Sequence, residues 1–479
     1  MRRMNIGLVV VSSCLIALVA KNAHAQSLII RNATVIDGTG RAPQRGVDVC
    51  ISSGRIARVA RGCTVPRTAP VIDASGMYVT PGFVDMHVHL LEHGRDEKGE
   101  IPPRIDWDLV RRSLKLLLHH GVTTVRDPGS ETEAAVTLRK MLERGDVVGP
   151  RLYTAGRIIN SSSFNPEPFR PVRTADDIRR EIHWQKSVGV DFIKVYSSMS
   201  PDLTKVAIDE AHAVGLPVIG HLQRTTWTEA ARMGIDYIAH GAPWTPDLLP
   251  NDKRSGYEQN MFGRVYWLQT LDLRGSQVDS MLRELVSRRV VVDPTLIAYH
   301  TKFFGNSARW LNNADNTLLT PQLIAGWKAG HFTRDWTSDQ YADAQRAWPK
   351  MLAFTKLLFD RGVKLTVGTD APTAWVVPGA SFHDELALLR DAGIPEIALI
   401  KMATLDGARA LRRENEFGTV QTGRRADLVL LLADPLAKIE NTKSIAAVIQ
   451  AGQLACASAT LRIRPAKSVR ACKDMNGQR

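Results

Sequence analysis

The chain has 479 residues, enough for a barrel of about 250 residues with a second domain beside it. Lys and Arg outnumber Asp and Glu by 62 to 49, a formal charge of +13, yet the cations are scattered, with no run of five or more and no interleaved stacking aromatics. That pattern describes solvated faces and speaks against nucleic acid or a membrane surface as the partner.

Residues 1–25 read as an export signal. Arg2 and Arg3 precede an apolar stretch from Ile6 to Ala20, and Ala23-His24-Ala25 forms a small-residue cleavage site. The stretch is short for a membrane anchor, so a periplasmic or secreted chain without an integral membrane segment is expected. Cys14 lies inside the apolar run rather than at a lipidation site. Removing this segment takes away three basic residues and lowers the charge to +10. Four cysteines remain, and pairing between sequence neighbours, Cys50 with Cys63 and Cys456 with Cys472, is the expectation for an oxidising compartment.

Residues 26–79 contain short alternating runs, Ser27 to Asp37, Val47 to Ile51 and Arg55 to Val59, punctuated by Gly38, Gly40 and Gly54. Residues 413–479 repeat the pattern at Ala426 to Leu432 and Ile445 to Gln450. Two β-rich ends flanking an α/β body predict one discontinuous β-sandwich. Between them, residues 80–412 alternate strands with helices and predict a (β/α)₈ barrel of the TIM type. Ser200-Pro201 opens one helix, which Gly215 stops. Thr226-x-x-Glu229 caps a second, which Gly234 ends, and Ser276-x-x-Asp279 opens a third. Val290 to Pro294 reads as the seventh strand, and a helix ending at Arg361-Gly362 feeds the eighth. Two long connections, after strands six and seven, hold Trp244, Trp267, Trp310, Trp327 and Trp336. Trp375 follows strand eight. These tryptophans either line a deep pocket or pack the insertions.

Six residues sit where apolar runs end: His87 and His89 after Gly-Phe-Val-Asp-Met, Lys194 after Asp-Phe-Ile, His221 after Pro-Val-Ile-Gly, His240 after Asp-Tyr-Ile-Ala, and Asp370 after Leu-Thr-Val-Gly-Thr. Barrel strands converge at their C-terminal ends, where active sites are built. His87 and His89, two apart on a strand, point to the same side and can reach one ion. Four imidazoles, a carboxylate and a lysine at such ends make a cage suited to two divalent metals.

The run Tyr78-Val-Thr-Pro-Gly-Phe-Val-Asp-Met-His87-Val-His89, then Gly121-Val-Thr-Thr-Val-Arg-Asp127, and finally Gly423-Arg-Arg-Ala-Asp427-Leu-Val-Leu, resembles the amidohydrolase superfamily. Within it the chain is similar to the imidazolonepropionase and prolidase-like group, which includes Xaa-Pro dipeptidases and related secreted carboxypeptidase-like enzymes. The resemblance implies that Lys194, neutral through burial, takes up carbon dioxide as a carbamate bridging two ions. His87, His89 and Asp370 would hold one ion, and His221 and His240 the other. Imidazole and carboxylate ligands suit zinc without excluding manganese, cobalt or iron. A water between the two cations would lose its proton and attack an amide carbonyl, with Asp370 as general base and then acid.

Arg224 stands where related deaminases carry Glu, which argues against deamination, and Ala239 precedes His240 where many relatives have Glu. Arg412-Arg413 replaces a usual Leu-Gly. The expected substrate is a small molecule, a dipeptide or an N-acyl amino acid. A mononuclear cyclic-amide hydrolase of the imidazolonepropionase kind, a lactone or phosphotriester hydrolase, and a non-catalytic binding protein remain as alternatives. Tyr196, His300, Arg157 and Arg224 are the expected substrate contacts, and the sequence carries no signal for oligomeric state.

Overall fold

Along Leu28–Val35 the side chains of Leu28, Ile30, Ala33 and Val35 are buried. The alternation slips one step at Asn32, whose φ is 57° and where the pairing register shifts. A bulge there returns the last two apolar residues to the core face. The strand pairs antiparallel with Gln44–Ser52, which turns through Ser53-Gly54, both at positive φ, into Arg55–Ala60. A two-residue turn with two positive φ values matches the twist of a hairpin.

Leu428–Leu431, Ile445–Gln450 and Gln453–Ala457 form a meander from the other end of the chain. Tyr78–Pro81 joins the halves, parallel to Leu28–Val35 and antiparallel to Leu428–Leu431. The result is a nine-stranded sheet folded around its own core of residues such as Ile30, Val49, Ile72, Val79, Leu428 and Ile449. Both chain ends therefore build one β-sandwich, which caps a TIM-type barrel. The computed structural model describes residues 27–63, 69–91, 105–162, 168–458 and 461–464, so the expected export segment and Cys472 lie outside the described residues. Cys50 and Cys63 are joined in a disulfide with Cα atoms 5.8 Å apart, and Cys456 is also disulfide-bonded.

The barrel strands are Phe83–Asp85, Val122–Asp127, Arg151–Thr154, Ile193–Val195, Val218–Gly220, Tyr237–Ala239, Val291–Asp293 and Lys364–Leu365. Each runs parallel to the next. Bridges Ala155 to Phe192 and Val88 to Ala371 complete the ring between the third and fourth and between the first and eighth strands. Almost every residue of these strands is buried, as fully enclosed parallel strands require. The eighth ladder is short, but the chain beyond it stays bonded to the first strand's extension: Met86 N–H donates to Val367 O (2.8 Å) and Asp370 N–H to His87 O (2.7 Å). Gly368 permits that approach, since a Cβ there would lie 2.8 Å from His87 Cβ.

Helices Pro201–Ala213 and Trp227–Met233 begin at Ser200 and Thr226, the second with a full capping box and Gly234 as a left-handed stop. Helix Ser276–Ser287 begins at Ser276 as expected, with Gly275 in the cap position and no side-chain cap bond. The two long connections are largely helical. Met261–Thr270 follows the sixth strand, while Leu296–Phe303 and Pro321–Gly330 precede the long helix Ser338–Asp360 after the seventh. Short apolar stretches broken by Gly and Pro hide helices of this length from a periodicity reading. Two further strands, Ile158–Asn160 and Phe169–Pro171, extend the sheet beside the fourth barrel strand. Among the described residues, no helix is long and apolar enough to cross a membrane.

Candidate active site

His87 and His89 follow the first strand, Lys194 lies within the fourth, and His221 and His240 directly follow the fifth and sixth. Asp370 ends the extension of the eighth. All six line one cavity at the C-terminal mouth of the barrel, of about 740 Å³, within the range of small-molecule sites.

His87, His89 and Asp370 form a group whose ligand atoms all lie within 4.8 Å of one another. Each imidazole is turned by a partner on its far nitrogen. His87 Nδ1 lies 2.5 Å from Asp293 Oδ2, and His89 Nδ1 lies 3.0 Å from the Gly129 carbonyl oxygen. A carbonyl only accepts, so His89 Nδ1 carries a proton, and Nε2 is the atom that can give up its own proton and offer a lone pair to an ion. Both Nε2 atoms then face Asp370 Oδ1, each at 3.4 Å. Two imidazole nitrogens and a carboxylate oxygen converging on one point fit a divalent ion of the zinc kind.

His221 and His240 stand apart from that group. His240 Nε2 and His221 Nδ1 face each other at 2.8 Å, and Thr295 Oγ1 lies 2.8 Å from His240 Nδ1. Lys194 is 1% exposed. Burial pushes the His87, His221 and His240 imidazoles well below the usual histidine range, and the Lys194 charge adds to the shift in each. They are therefore neutral at neutral pH, the form that binds a cation. For Asp370, burial pushes the carboxyl up, but the His89 hydrogen bond and the neighbouring charges outweigh it and hold the group below the usual carboxylate range.

Behind the site lies a buried polar layer that sequence reasoning missed. Asp293 divides its oxygens between His87 and Arg126, whose Nη2 donates to Oδ1 at 2.8 Å, while Arg126 Nε donates to Met86 O at 2.7 Å. Burial pushes Asp293 up to about 6, opposed by Arg126. Arg126 belongs to the Gly-Val-Thr-Thr-Val-Arg-Asp stretch, so its only signal was a charge inside a buried strand.

The expected substrate contacts divide. Tyr196 lines the cavity, its ring centroid 4.3 Å from that of His221. Arg157, Arg224 and His300 are not brought to it. Arg157 pairs with Glu181 and stacks on Trp184, and Arg224 is exposed. His300 stacks on Phe304 at 4.1 Å, where burial pushes it down to about 3. The two inserted segments bring Arg264, Tyr299 and Lys302 to the cavity lining. Of the tryptophans, Trp327 and Trp336 line the cavity, whereas Trp244, Trp267, Trp310 and Trp375 are buried in packing around it.

The chain matches the amidohydrolase family over residues 78–241 and 310–455. A dihydroorotase of Citrifermentans bemidjiense is 40% identical over 79 residues, 16% of this chain and 18% of that protein. The chain spans about half or less of the length of the curated relatives it matches. Among solved structures, a Xaa-Pro dipeptidase with bound methionine superposes with a TM-score of 0.66 at 19% identity, covering 89% of this chain and 99% of the other. A bottromycin amidohydrolase gives 0.68 at 24%, covering 90% and 88%. At such identities the likeness is one of fold.

Proposed function

The chain belongs to the amidohydrolase family, and we propose that it is a metal-dependent hydrolase of amide or peptide C–N bonds. The observation that carries this reading is the convergence of His87 Nε2, His89 Nε2 and Asp370 Oδ1. These three residues would hold one divalent ion, zinc by ligand chemistry. When bound, such an ion polarises a carbonyl and lowers the pKa of a water. Asp370 stays ionised across neutral pH. Its Oδ1 faces both imidazoles, which leaves Oδ2 to take the proton of the attacking water and return it to the leaving nitrogen. Asp293 and the Gly129 carbonyl keep both imidazoles in the ligating tautomer. Tyr196, beside His221, orients the scissile group.

A second reading adds an ion on His221 and His240 and a carbamate on Lys194. It is favoured by the facing pair His221 Nδ1 and His240 Nε2, which can turn both lone pairs on one cation. A lysine so buried beside three imidazoles also gains by exchanging its positive charge for a negative one.

Metal content by mass spectrometry on protein prepared with bicarbonate tests both. About one ion per chain, lost in His89→Ala and retained in Lys194→Ala, supports the single-ion site. About two, falling in Lys194→Ala, supports the carbamate. Hydrolysis of dipeptides or N-acyl amino acids that survives complete chelation overturns the metal-dependent reading.

A further inference from the structure

The cavity wall has an electrostatic imbalance that the metal group does not explain. Among its described lining residues Asp370 is the single carboxylate, while Lys194, Arg264 and Lys302 are cationic side chains. Arg264 and Lys302 stand on different inserted helices, Met261–Thr270 and Leu296–Phe303. They converge on one ring. The Arg264 guanidinium carbon lies 5.4 Å from the Tyr299 ring centroid, and Lys302 Nζ lies 5.1 Å from the same centroid.

Neither forms an ion pair with a carboxylate among the described residues. Arg264 reaches Met261 Sδ at 3.4 Å and the Trp244 ring. Lys302 packs on the faces of Tyr299 and Phe332 and feels the Asp370 charge only at a distance, although the residue is 8% exposed. Both charges act on His221, so they share its part of the cavity. Burying a cation without a counter-ion is costly, and a divalent metal adds to the positive field. An arrangement of this kind is relieved when an anion enters.

We propose that Arg264 and Lys302 form the subsite for a carboxylate carried by the substrate, so that the protein acts on dipeptides or N-acyl amino acids with a free C-terminal carboxylate and a bulky apolar group. The apolar requirement comes from the wall beside the two cations. Phe262 and Trp336 stack at 5.2 Å, and Phe262 and Phe332 are 46% and 67% exposed at the mouth. Exposed aromatics gathered at a cavity mouth mark a contact surface. The guanidinium supplies a planar fork to a carboxylate and the ammonium a point charge. This deepens the hydrolase proposal by naming its substrate class, and it rests on that reading.

The test measures binding by calorimetry rather than turnover. N-acetyl-L-phenylalanine and its neutral amide are titrated into the full chain, both as purified and after stripping with chelator. A hydrogen-bonded charge is worth about 1.5–3 kcal/mol, so the acid is expected to bind about tenfold or more tighter than the amide in both preparations. Arg264→Gln and Lys302→Gln each reduce that ratio, the pair together brings it near one, and Lys302→Arg retains most of it. Rising salt shrinks the ratio in the unaltered chain, which needs no variant to fold. Equal binding of acid and amide, no binding of either at about 10 mM, or a preference that survives the double substitution overturns the subsite. Because the stripped chain reads the subsite alone, failure of the metal-dependent reading would appear in metal content and turnover instead.

Discussion

Replacing Asp293 by Asn separates the two tasks of this buried carboxylate. In the wild-type chain Oδ2 meets His87 Nδ1 and Oδ1 accepts from Arg126 Nη2. Asparagine offers one acceptor oxygen and one NH₂, so it can satisfy only one of these donors and confronts the other with a donor. If the oxygen turns to Arg126, His87 loses the partner that fixes its tautomer. Such losses weaken metal binding about 10–100-fold, or roughly 1.4–2.7 kcal/mol. In either orientation the neutral amide leaves the guanidinium of Arg126, 1% exposed, without its counter-charge. If the oxygen turns to His87 the guanidinium loses its acceptor as well; breaking a buried pair in this way costs about 3–5 kcal/mol of stability.

Two assays read the two outcomes: zinc competition against a chromophoric chelator for affinity, and urea unfolding of the stripped protein for stability. The double variant Arg126→Met with Asp293→Asn divides them. It is expected to recover part of the stability, since no buried charge remains, but only part, because the Arg126 bond to Met86 O is also lost. Metal affinity recovers only as far as the freed Asn oxygen can turn to His87. Asp293→Asn binding zinc as tightly as the wild type, with unchanged unfolding, would refute this account of the layer behind the site.

Three further outcomes follow from individual contacts. Gly368→Ala places a Cβ 2.8 Å from His87 Cβ and 3.2 Å from His87 N; the strands must part, at about 1–3 kcal/mol of stability, and metal affinity should fall although every ligand is present. Burial pushes Glu385 up to about 8, against opposing bonds from Leu296 and Ile297 N–H. A carboxyl raised in the folded state takes up a proton on folding, so its penalty grows as pH rises from its unfolded value toward 8; Glu385→Gln should gain on the wild type by a few kcal/mol between pH 5 and pH 8, and a flat difference in paired denaturation curves would exclude this. Burial also pushes Lys302 down to about 8, partly opposed by Asp370. Its charge is present below that pH and lost above it, so the acid-over-amide preference of the stripped chain should fade on titration from pH 7 to 9.

The six cavity positions were legible because each follows an apolar run, and a buried parallel strand leaves few other readings for such a run. Lys194 and His221 could be placed without knowing any contact, since barrel strands end on one face. The cavity wall was not legible for the opposite reason. It stands on helices inside insertions, where direction depends on rotation about an axis rather than on alternation. Tyr299 and Lys302 are three apart and share a face of Leu296–Phe303. His300 is turned about 100° from Tyr299 and packs on Phe304, four residues on. Arg157 does not line the cavity because a residue just past a strand end can turn outward, here onto Trp184 and Glu181. Spacing alone does not distinguish these fates.

The backbone at the site explains why its pieces cannot be exchanged freely. His240, Thr295 and Asp370 have φ values of 75°, 47° and 63°, a left-handed region that costs non-glycine residues about 1–3 kcal/mol each. Glycine would remove the strain, but each position needs its side chain: an imidazole, a hydroxyl that meets it, and a carboxylate. The surroundings hold the strain in place. His240 N–H donates to Asp293 O at 2.8 Å, and Asp370 N–H to His87 O at 2.7 Å. Thr295 turns its hydroxyl to His240 and makes no side-chain cap bond to the helix it precedes. Glu385 does so instead, accepting from Leu296 and Ile297 at 3.0 and 2.7 Å. That helix carries Tyr299 and Lys302. The orientation of a cavity imidazole and the position of the cavity wall are thus linked through one threonine: Thr295→Gly would relax the backbone, free His240 Nδ1, and loosen both the imidazole and the wall.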